Sequence, residues 1–494
     1  MLKRKIIITF SGFAIAAVCN FIFLFALTQQ FSADKLGEFF WALALIGMAG
    51  ISTGIDTTHV KKYSDDFEPG KLTVFFFSKL VLSVIPLIVS LLIFQGLILE
   101  LKGSQISYII FILGLMNFFQ RFYTFFSATY TALGKVAIRE VMHVSQSVSK
   151  LVGVLLLFYI GFDLISLSYV YLFSSFIPLL FGYYFFGNIN FGAFSLVKFK
   201  DYLYFTFPLF FSEGLSTLFQ RLDKLIIAFF LNFTVLSIYV ICMSLVNILK
   251  FLNKSLGITV FPKINSKLSS NKFSEVQELI EKTNRLLIIF TTFTLFGIIL
   301  FTDNILLQIY GPEYEAGYEL LVLLFIGFLF RLLSISSAWI LLSREKQYLI
   351  SKLDIFRIIL ISFSMVSLLH FKLIDAFIAL GFSWILGEFI YLVLCFYYSQ
   401  RDRIIEIKFG LSRLPILLLL LPSILLCIFV NYSPHANLTI EALLFAIFLV
   451  YWYLLTYLGI ISKNEIIEIL ESLNLRKLIN YAKSEFNNEN AKTN

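Results

Sequence analysis

The segment FPLFFSEGLSTLFQRLDKLIIAFFLNFTVLSIY, residues 207–239, decides how the chain must fold. It is apolar almost throughout, yet Arg221, Asp223 and Lys224 lie within four positions near its middle. A charged side chain at the centre of a lipid-spanning helix costs roughly 2.5 to 3.5 kcal/mol on insertion scales. Three such side chains in one helix must therefore face water or polar partners rather than lipid.

The rest of the chain has the composition of a membrane protein. Of its 494 residues, 59% are hydrophobic and 14% are charged, and the mean hydropathy is +0.88. Each span needs about 20 apolar residues to cross the hydrocarbon core. The apolar runs predict an all-α polytopic membrane protein of about fourteen transmembrane helices. Their centres lie near residues 17, 48, 85, 118, 150, 175, 217, 247, 297, 330, 362, 386, 422 and 450.

The loop charges predict how these spans are oriented. A net charge of +8 could indicate a nucleic-acid partner, but no basic stretch lies on a soluble domain. On the side of the N-terminus, the loops and the tail contain 27 lysines and arginines, whereas the opposite side has 3, Lys35, Lys102 and Lys372. Because cytoplasmic loops carry an excess of Lys and Arg, both termini are predicted to be cytoplasmic. No nucleic-acid partner is expected.

The sequence lacks the signals of an enzyme, a metal site or a cofactor. No predicted loop is long enough to hold a catalytic domain outside the membrane. The four cysteines form no CxxC pair, and no GxxxxGK[ST] loop for ATP occurs. We therefore expect no catalytic residue, no bound metal and no cofactor.

An internal repeat predicts two similar halves. FFQRFYTFFSATYTAL at 118–133 aligns with FLFRLLSISSAWILLS at 328–343, which superposes Arg121 on Arg331. Paired halves with a site near the membrane midplane recur among transporters. The predicted domains are an N-terminal lobe of helices 1–6 (residues 1–190), a C-terminal lobe of helices 7–12 (191–400), helices 13–14 (401–462) and a polar cytoplasmic tail (463–494).

Three glycines mark the second predicted span. Gly47, Gly50 and Gly54 are spaced so that two pairs of them fall on neighbouring positions of a helix surface. Small residues at such spacing let transmembrane helices approach closely. We predict that role for all three.

Polar and cationic side chains follow one face of several predicted spans. In the span near residue 217 the charged residues share a wedge of the helical wheel, and the leucines and phenylalanines fill the rest. Such faces in both halves predict a shared hydrated cavity for an anionic substrate. Its predicted polar residues are Asn117, Gln120, Arg121, Lys150, Gln220, Arg221, Lys224, Asn247 and Lys250. Taken singly, Lys79, Lys254 or Arg357 could instead reach the interface. Arg221 could simply pair with Asp223 or Glu213, and His143 could be an ordinary packed histidine.

Four acidic residues fall inside predicted spans. They are Asp56, Glu213, Asp223 and Glu388. Carboxylates in membranes are the usual carriers of a coupling proton or sodium ion, so these four are the candidates for ion coupling. The alternative is that they neutralise Arg221 and Lys224.

Several segments resemble the polysaccharide-transport (Wzx-type) flippases of the multidrug/oligosaccharidyl-lipid/polysaccharide exporter superfamily. They are FSADKLGEFFWALALI, RLDKLIIAFFLNFTVLSIYVI, FPKINSKLSSNKFSEVQELIEKTNR and LLQIYGPEYEAGYELLVLLFIGFLFRLL. The resemblance implies export of an undecaprenyl-diphosphate-linked oligosaccharide to the outer leaflet of the bacterial cytoplasmic membrane by alternating access of two lobes. The Asp223–Lys224 pair matches a family position, and Lys250 lies where relatives also carry a cation.

The implied partners are the lipid-linked oligosaccharide of O-antigen or capsule synthesis, membrane lipids, a coupling proton or sodium ion, and membrane proteins of polysaccharide assembly. A lipid II flippase and a cation-coupled drug exporter would share the architecture. From another class, a membrane glycan polymerase or ligase would also be multispanning and basic. It should carry a large outer loop with Arg or His, whereas the longest predicted outer loop here, near Tyr310, is acidic.

Overall fold

The computed structural model describes most of the chain as helix. The described residues are 2–49, 54–101, 105–161, 163–186, 190–209, 214–248, 260–270, 272–284, 287, 297, 305–344, 346–401 and 450. Every regular element within them is helical, which confirms the all-α prediction. Seven of their helices are long and apolar enough to cross a membrane. The number fourteen stays a prediction, because the spans predicted near residues 297, 422 and 450 lie almost entirely outside the described residues.

The helices before residue 250 are arranged as follows. They are α1 Leu2–Thr28, α2 Ala33–Ala49, α3 Ile55–Asp66, α4 Pro69–Leu101, α5 Gln105–Ala132, α6 Val136–Ile160, α7 Leu164–Tyr184, α8 Leu196–Leu209, α9 Leu215–Phe230 and α10 Phe233–Ile248. Further along the chain come α11 Phe261–Ser269, a π-helical turn Ile305–Tyr310, a 3₁₀ turn Pro312–Gly317, α12 Tyr318–Ser343, α13 Gln347–His370 and α14 Ala376–Gln400.

The second predicted span is divided into two helices. Between α2 and α3 lies Gly54, whose φ of 69° places it in the left-handed region. A right-handed helix does not continue through such a residue, and glycine adopts this conformation without a steric penalty. Gly54 therefore serves the start of α3, and the close helix approach predicted for it stays a prediction. Gly50 lies outside the described residues.

Contacts group the chain into two compact units. One contains Ile8–Phe251 and Asp354–Ile374, and the other contains Met1–Ile7, Leu252–Leu353 and Asp375–Asn494. The division into lobes at residues 190 and 400 rests on the sequence repeat and stays a prediction. In the second unit, α12 packs along α14, and α11 packs against α12.

Helix α2 is central to the first unit, where it packs against α4, α5, α9 and α10. A Cβ atom at Gly37 would lie 1.7 Å from the backbone oxygen of Phe233, so the chain backbones of α2 and of the start of α10 nearly touch. Phe39 of α2 and Tyr171 of α7 are buried in the adjoining core, with ring centroids 5.2 Å apart. Helix α9, which carries the charged residues, also packs against α2.

Candidate functional site

A cavity of about 410 Å³ lies within the first unit. Helices α1, α2, α6, α7, α9 and α10 contribute its walls. Its lining includes the polar side chains Asn20, His143, Lys150, Tyr171, Arg221, Lys224, Ser244 and Asn247. Three of these are cations, and among the described lining residues there is no aspartate or glutamate. Four of the predicted cavity residues, Lys150, Arg221, Lys224 and Asn247, are thus brought together.

The charged turn of α9 is organised around Asp223. This side chain is 7% exposed and accepts a hydrogen bond of 2.7 Å from the hydroxyl of Tyr239 on α10. Its two carboxylate oxygens lie 3.0 and 3.1 Å from Nζ of Lys224. Asp223 therefore holds the Lys224 ammonium in place at the cavity wall. Because both carboxylate oxygens contact partners, Asp223 neutralises the charge of Lys224. This supports the alternative that Asp223 neutralises a cation instead of carrying a coupling ion.

The position of Arg221 depends on a glycine in the facing helix. A Cβ atom at Gly47 of α2 would lie 2.3 Å from Cζ and Nη1 of Arg221 and 2.6 Å from its Nε. No real Cβ contact is so short, so only glycine leaves room for the guanidinium here. The close approach predicted for Gly47 is found, and its partner is a charged side chain rather than a helix backbone.

Lys150 reaches the cavity from α6. Its Nζ lies 4.7 Å from the ring centroid of Tyr171, within the range of a cation–π interaction. The ring of Tyr171 is buried and also contacts the rings of Phe23 and Phe39. An aromatic cluster from three helices thus supports the ammonium.

Two of the predicted polar residues join helices instead of lining this cavity. Asn117 donates a hydrogen bond of 3.2 Å to the backbone oxygen of Ile46 in α2. Gln120 accepts one of 2.7 Å from the side-chain amide of Gln146, which links α5 to α6. Gln220 is exposed and is absent from the lining. Lys250 lies outside the described residues.

Arg121 belongs to a different cluster. It is 8% exposed and lies close enough to Asp56 to interact with its charge. Asp56 pairs at 2.5 Å with Nζ of Lys79, which also donates a hydrogen bond of 2.9 Å to Thr124. Lys79 is 1% exposed, so the alternative that it reaches the interface is wrong. Asp56 and Thr124 also line a second cavity, of about 460 Å³.

Glu388 lies in the second unit. It is 2% exposed, and its Oε2 lies 3.9 Å from Nη1 of Arg331 on α12. The guanidinium of Arg331 lies 4.4 Å from the ring centroid of Tyr391. Glu388 thus pairs with Arg331 of its own unit. Glu213 lies outside the described residues.

Sequence reasoning missed Glu140 on α6. It is 4% exposed, its Oε1 accepts hydrogen bonds from Arg139, and its Oε2 lies 4.0 Å from Nδ1 of His143. The three-residue spacing of Glu140 and His143 within an apolar run is the signal that identifies the pair. Tyr239 was also missed, because a tyrosine in an apolar helix gives no sign of a carboxylate partner. Among the described residues, no group of three His, Cys, Asp or Glu side chains could hold a metal ion.

The fold is that of solved membrane transporters. An inward-facing multidrug resistance MATE family transporter of the MOP superfamily superposes with a TM-score of 0.65 at 12% identity, over 80% of this chain and 94% of that one. An outward-facing structure, also of a MATE family transporter, gives 0.59 at 12% identity, over 82% and 95%. A MOP superfamily transporter from Pyrococcus furiosus gives 0.59 at 13% identity, over 82% and 95%. At these identities the likeness establishes the fold.

The sequence family is more specific. The model of the polysaccharide biosynthesis protein family matches residues 32–319, more than half of the chain, and the chain belongs to this family. No curated protein matches the chain in sequence. The resemblance to polysaccharide-transport flippases is confirmed at the level of the family, and the fold is that of solved MOP superfamily transporters. The protein is an integral multi-pass membrane protein, and its family and fold are those of transporters rather than enzymes.

Proposed function

We propose that this protein is a flippase that moves an undecaprenyl-diphosphate-linked oligosaccharide from the inner to the outer leaflet of the cytoplasmic membrane. The product would feed the synthesis of a surface polysaccharide such as O-antigen or capsule. The diphosphate occupies the cavity of the first unit during transit, and the polyprenyl chain stays in lipid. Both termini are cytoplasmic, as the loop charges predict.

The charge of the cavity is the observation that carries this proposal. Lys150, Arg221 and Lys224 line it, and Asp223 compensates one of these charges through Lys224. An excess of about two positive charges remains, which matches the two negative charges of a diphosphate diester. A diphosphate without partners is very costly to place in hydrocarbon. Charge-assisted hydrogen bonds from a guanidinium and two ammonium groups replace its hydration.

The size and composition of the cavity also suit a headgroup. About 410 Å³ lies in the range of ligand pockets, roughly 300 to 1,000 Å³. Phenylalanine, leucine and alanine side chains of α1 and α2 make up much of the wall. Cationic groups in a partly apolar wall hold a phosphate group in place but bind the attached sugars weakly. A transporter of a large glycan needs this weak binding of the sugars.

Ion coupling belongs to the same proposal. Asp56 and Glu388 are two of the described carboxylates that pair with a base, and protonation of either would weaken its pairing with Lys79 or Arg331. Coupling through Glu213 stays a prediction. Unchanged dependence of export on sodium and on pH in Asp56→Asn and Glu388→Gln variants would remove both from this role.

The drug exporters that share the fold are the second candidate. A cavity with three cations and no described acid repels cationic compounds, which disfavours export of such drugs. In the MOP superfamily transporter from Pyrococcus furiosus, reverse polarity of the binding pocket suggests a different function. Lipid II carries the same diphosphate, so a lipid II flippase differs only in the sugars attached.

Deletion and complementation test the proposal. We expect loss of the gene to abolish the surface polysaccharide and to trap lipid-linked repeat units in the cytoplasmic leaflet. The wild type should restore export, and Arg221→Ala/Lys224→Ala should not, at equal protein level. Normal surface polysaccharide in the deletion strain would contradict the proposal and direct attention to lipid II.

A further inference from the structure

A buried acid and a histidine adjoin the cationic cavity on its α6 wall. His143 lines the cavity, and its ring contacts the ring of Phe13 on α1 edge-on, with centroids 5.1 Å apart. One turn earlier, Glu140 is 4% exposed and is packed against α1, where a Cβ atom at Gly12 would lie 2.6 Å from its Oε2. The glycine lets α1 cover this carboxylate completely.

The two oxygens of Glu140 have different surroundings. Arg139 donates to Oε1 through both Nε and Nη2. Oε2 is buried, has no hydrogen-bond partner among the described residues, and lies 4.0 Å from Nδ1 of His143. This oxygen is placed to accept a hydrogen bond from a protonated imidazole after a small movement. An uncharged imidazole offers much weaker attraction at this distance.

The charges around His143 oppose each other. On α6 they are those of Arg139, Glu140 and Lys150, and on α9 those of Arg221 and Lys224 with Asp223. Helix α7 contributes the neutral Tyr171, α5 contributes Tyr123, which lies near Glu140 and Arg139, and the described lining residues from α1, α2 and α10 carry no titratable group. In the empty cavity the cations disfavour a further positive charge on His143. An anion in the cavity reverses this balance.

We infer that the Glu140–His143 pair takes up a proton when an anionic headgroup enters the cavity, and so links substrate binding to proton movement. Histidine is the side chain that changes charge between about pH 5 and 8. By linkage, if the anion favours protonated His143, then protonation tightens anion binding by the same factor. The inference rests on the proposed function, because it assigns a coupling group to the same cavity.

The test measures binding of farnesyl diphosphate to the purified full-length protein by calorimetry. Each titration is run at pH 5.5 and pH 8.0, in two buffers of different ionisation enthalpy, so that proton uptake can be counted. The phosphate itself titrates near pH 6. The wild type is therefore compared with His143→Gln at the same pH, which cancels the titration of the probe. His370→Gln is the matched control, since His370 is exposed on α13 and does not line the cavity.

We expect the wild type and His370→Gln to bind about tenfold more tightly than His143→Gln at pH 5.5. At pH 8.0 the three should bind equally, whereas at pH 5.5 proton uptake on binding should be smaller in His143→Gln. In Glu140→Gln, the affinity for farnesyl diphosphate should rise at a lower pH than it does in the wild type. Equal affinity and equal proton uptake in all variants would overturn the inference. Failure of every variant, wild type included, to bind the probe would instead overturn the proposed function.

Discussion

Replacing Gly47 by alanine should displace the Arg221 guanidinium without disturbing the fold. The added Cβ would lie 2.3 Å from Cζ and Nη1 of Arg221, whereas ordinary van der Waals contacts between carbon atoms begin near about 3.5 Å. The guanidinium must therefore retreat by about 1 Å. Because it is the end of a flexible side chain, it can move, and alanine is also preferred to glycine in a helix by about 1 kcal/mol.

The expected loss is in anion binding. A hydrogen bond to a charged group contributes about 1.5 to 3 kcal/mol, so complete loss of one Arg221 contact would weaken binding roughly 10- to 150-fold. A retreat of about 1 Å should give the lower end of that range. Binding of farnesyl diphosphate to the purified protein measures the affinity, and a thermal melt measures stability.

Two comparisons isolate the cause. A Cβ atom at Gly96 in α4 would have no described atom within 4 Å. Gly96→Ala therefore gains the same helix propensity as Gly47→Ala but should bind the anion normally. In an Arg221→Ala background, Gly47→Ala should cause no further loss, because the displaced group is already gone. An equal loss in both backgrounds would refute the reasoning that Gly47 acts through Arg221.

Three further predictions concern buried polar groups. Tyr239→Phe removes the hydrogen bond to Asp223, loosens Lys224 and should weaken anion binding by about 1 kcal/mol, or roughly fivefold; unchanged affinity would show that the hydroxyl does not position Lys224. Lys79→Met removes the ammonium partner of Asp56, whose side chain is 35% exposed and keeps Arg121 as a nearby charge, so it should destabilise the protein by about 1 to 3 kcal/mol, seen as a lowered Tm, with partial recovery in Lys79→Met/Asp56→Asn; a normal Tm in the single variant would contradict this. Glu388→Gln should change the dependence of export on pH or sodium in vesicles, whereas an unaltered dependence would exclude Glu388 from coupling.

The sequence predicts the fold class and the charged face of α9 because both follow from the cost of placing charge in lipid. Arg221, Lys224 and Lys150 do line one cavity, since their helices must turn these groups away from the hydrocarbon. Arg121 also faces away from lipid, but its charge interacts with the carboxylate of Asp56 in another helix. Helical periodicity predicts which face of a helix avoids lipid, but it does not predict which side chain will pair with a charge on that face.

Features that depend on contact between distant segments could not be predicted. The fit of Arg221 against Gly47 requires knowing that α9 lies beside α2, and small-residue spacing alone suggested backbone packing. The break of the second span arises from the positive φ of Gly54, which a hydropathy pattern does not report. The burial of Glu140 could not be predicted for a similar reason, because it depends on contact with α1, where Gly12 leaves room for the carboxylate.

Transbilayer movement in reconstituted vesicles tests the central claim most directly. A labelled undecaprenyl-diphosphate-linked sugar is placed in one leaflet, and its arrival in the other is followed by accessibility to a membrane-impermeant enzyme. We predict rapid movement with the wild type and with Lys35→Ala, which removes an exposed cation outside the cavity, and movement at the protein-free rate with Arg221→Ala/Lys224→Ala. Movement by the double variant at the wild-type rate would contradict transport of the diphosphate through this cavity.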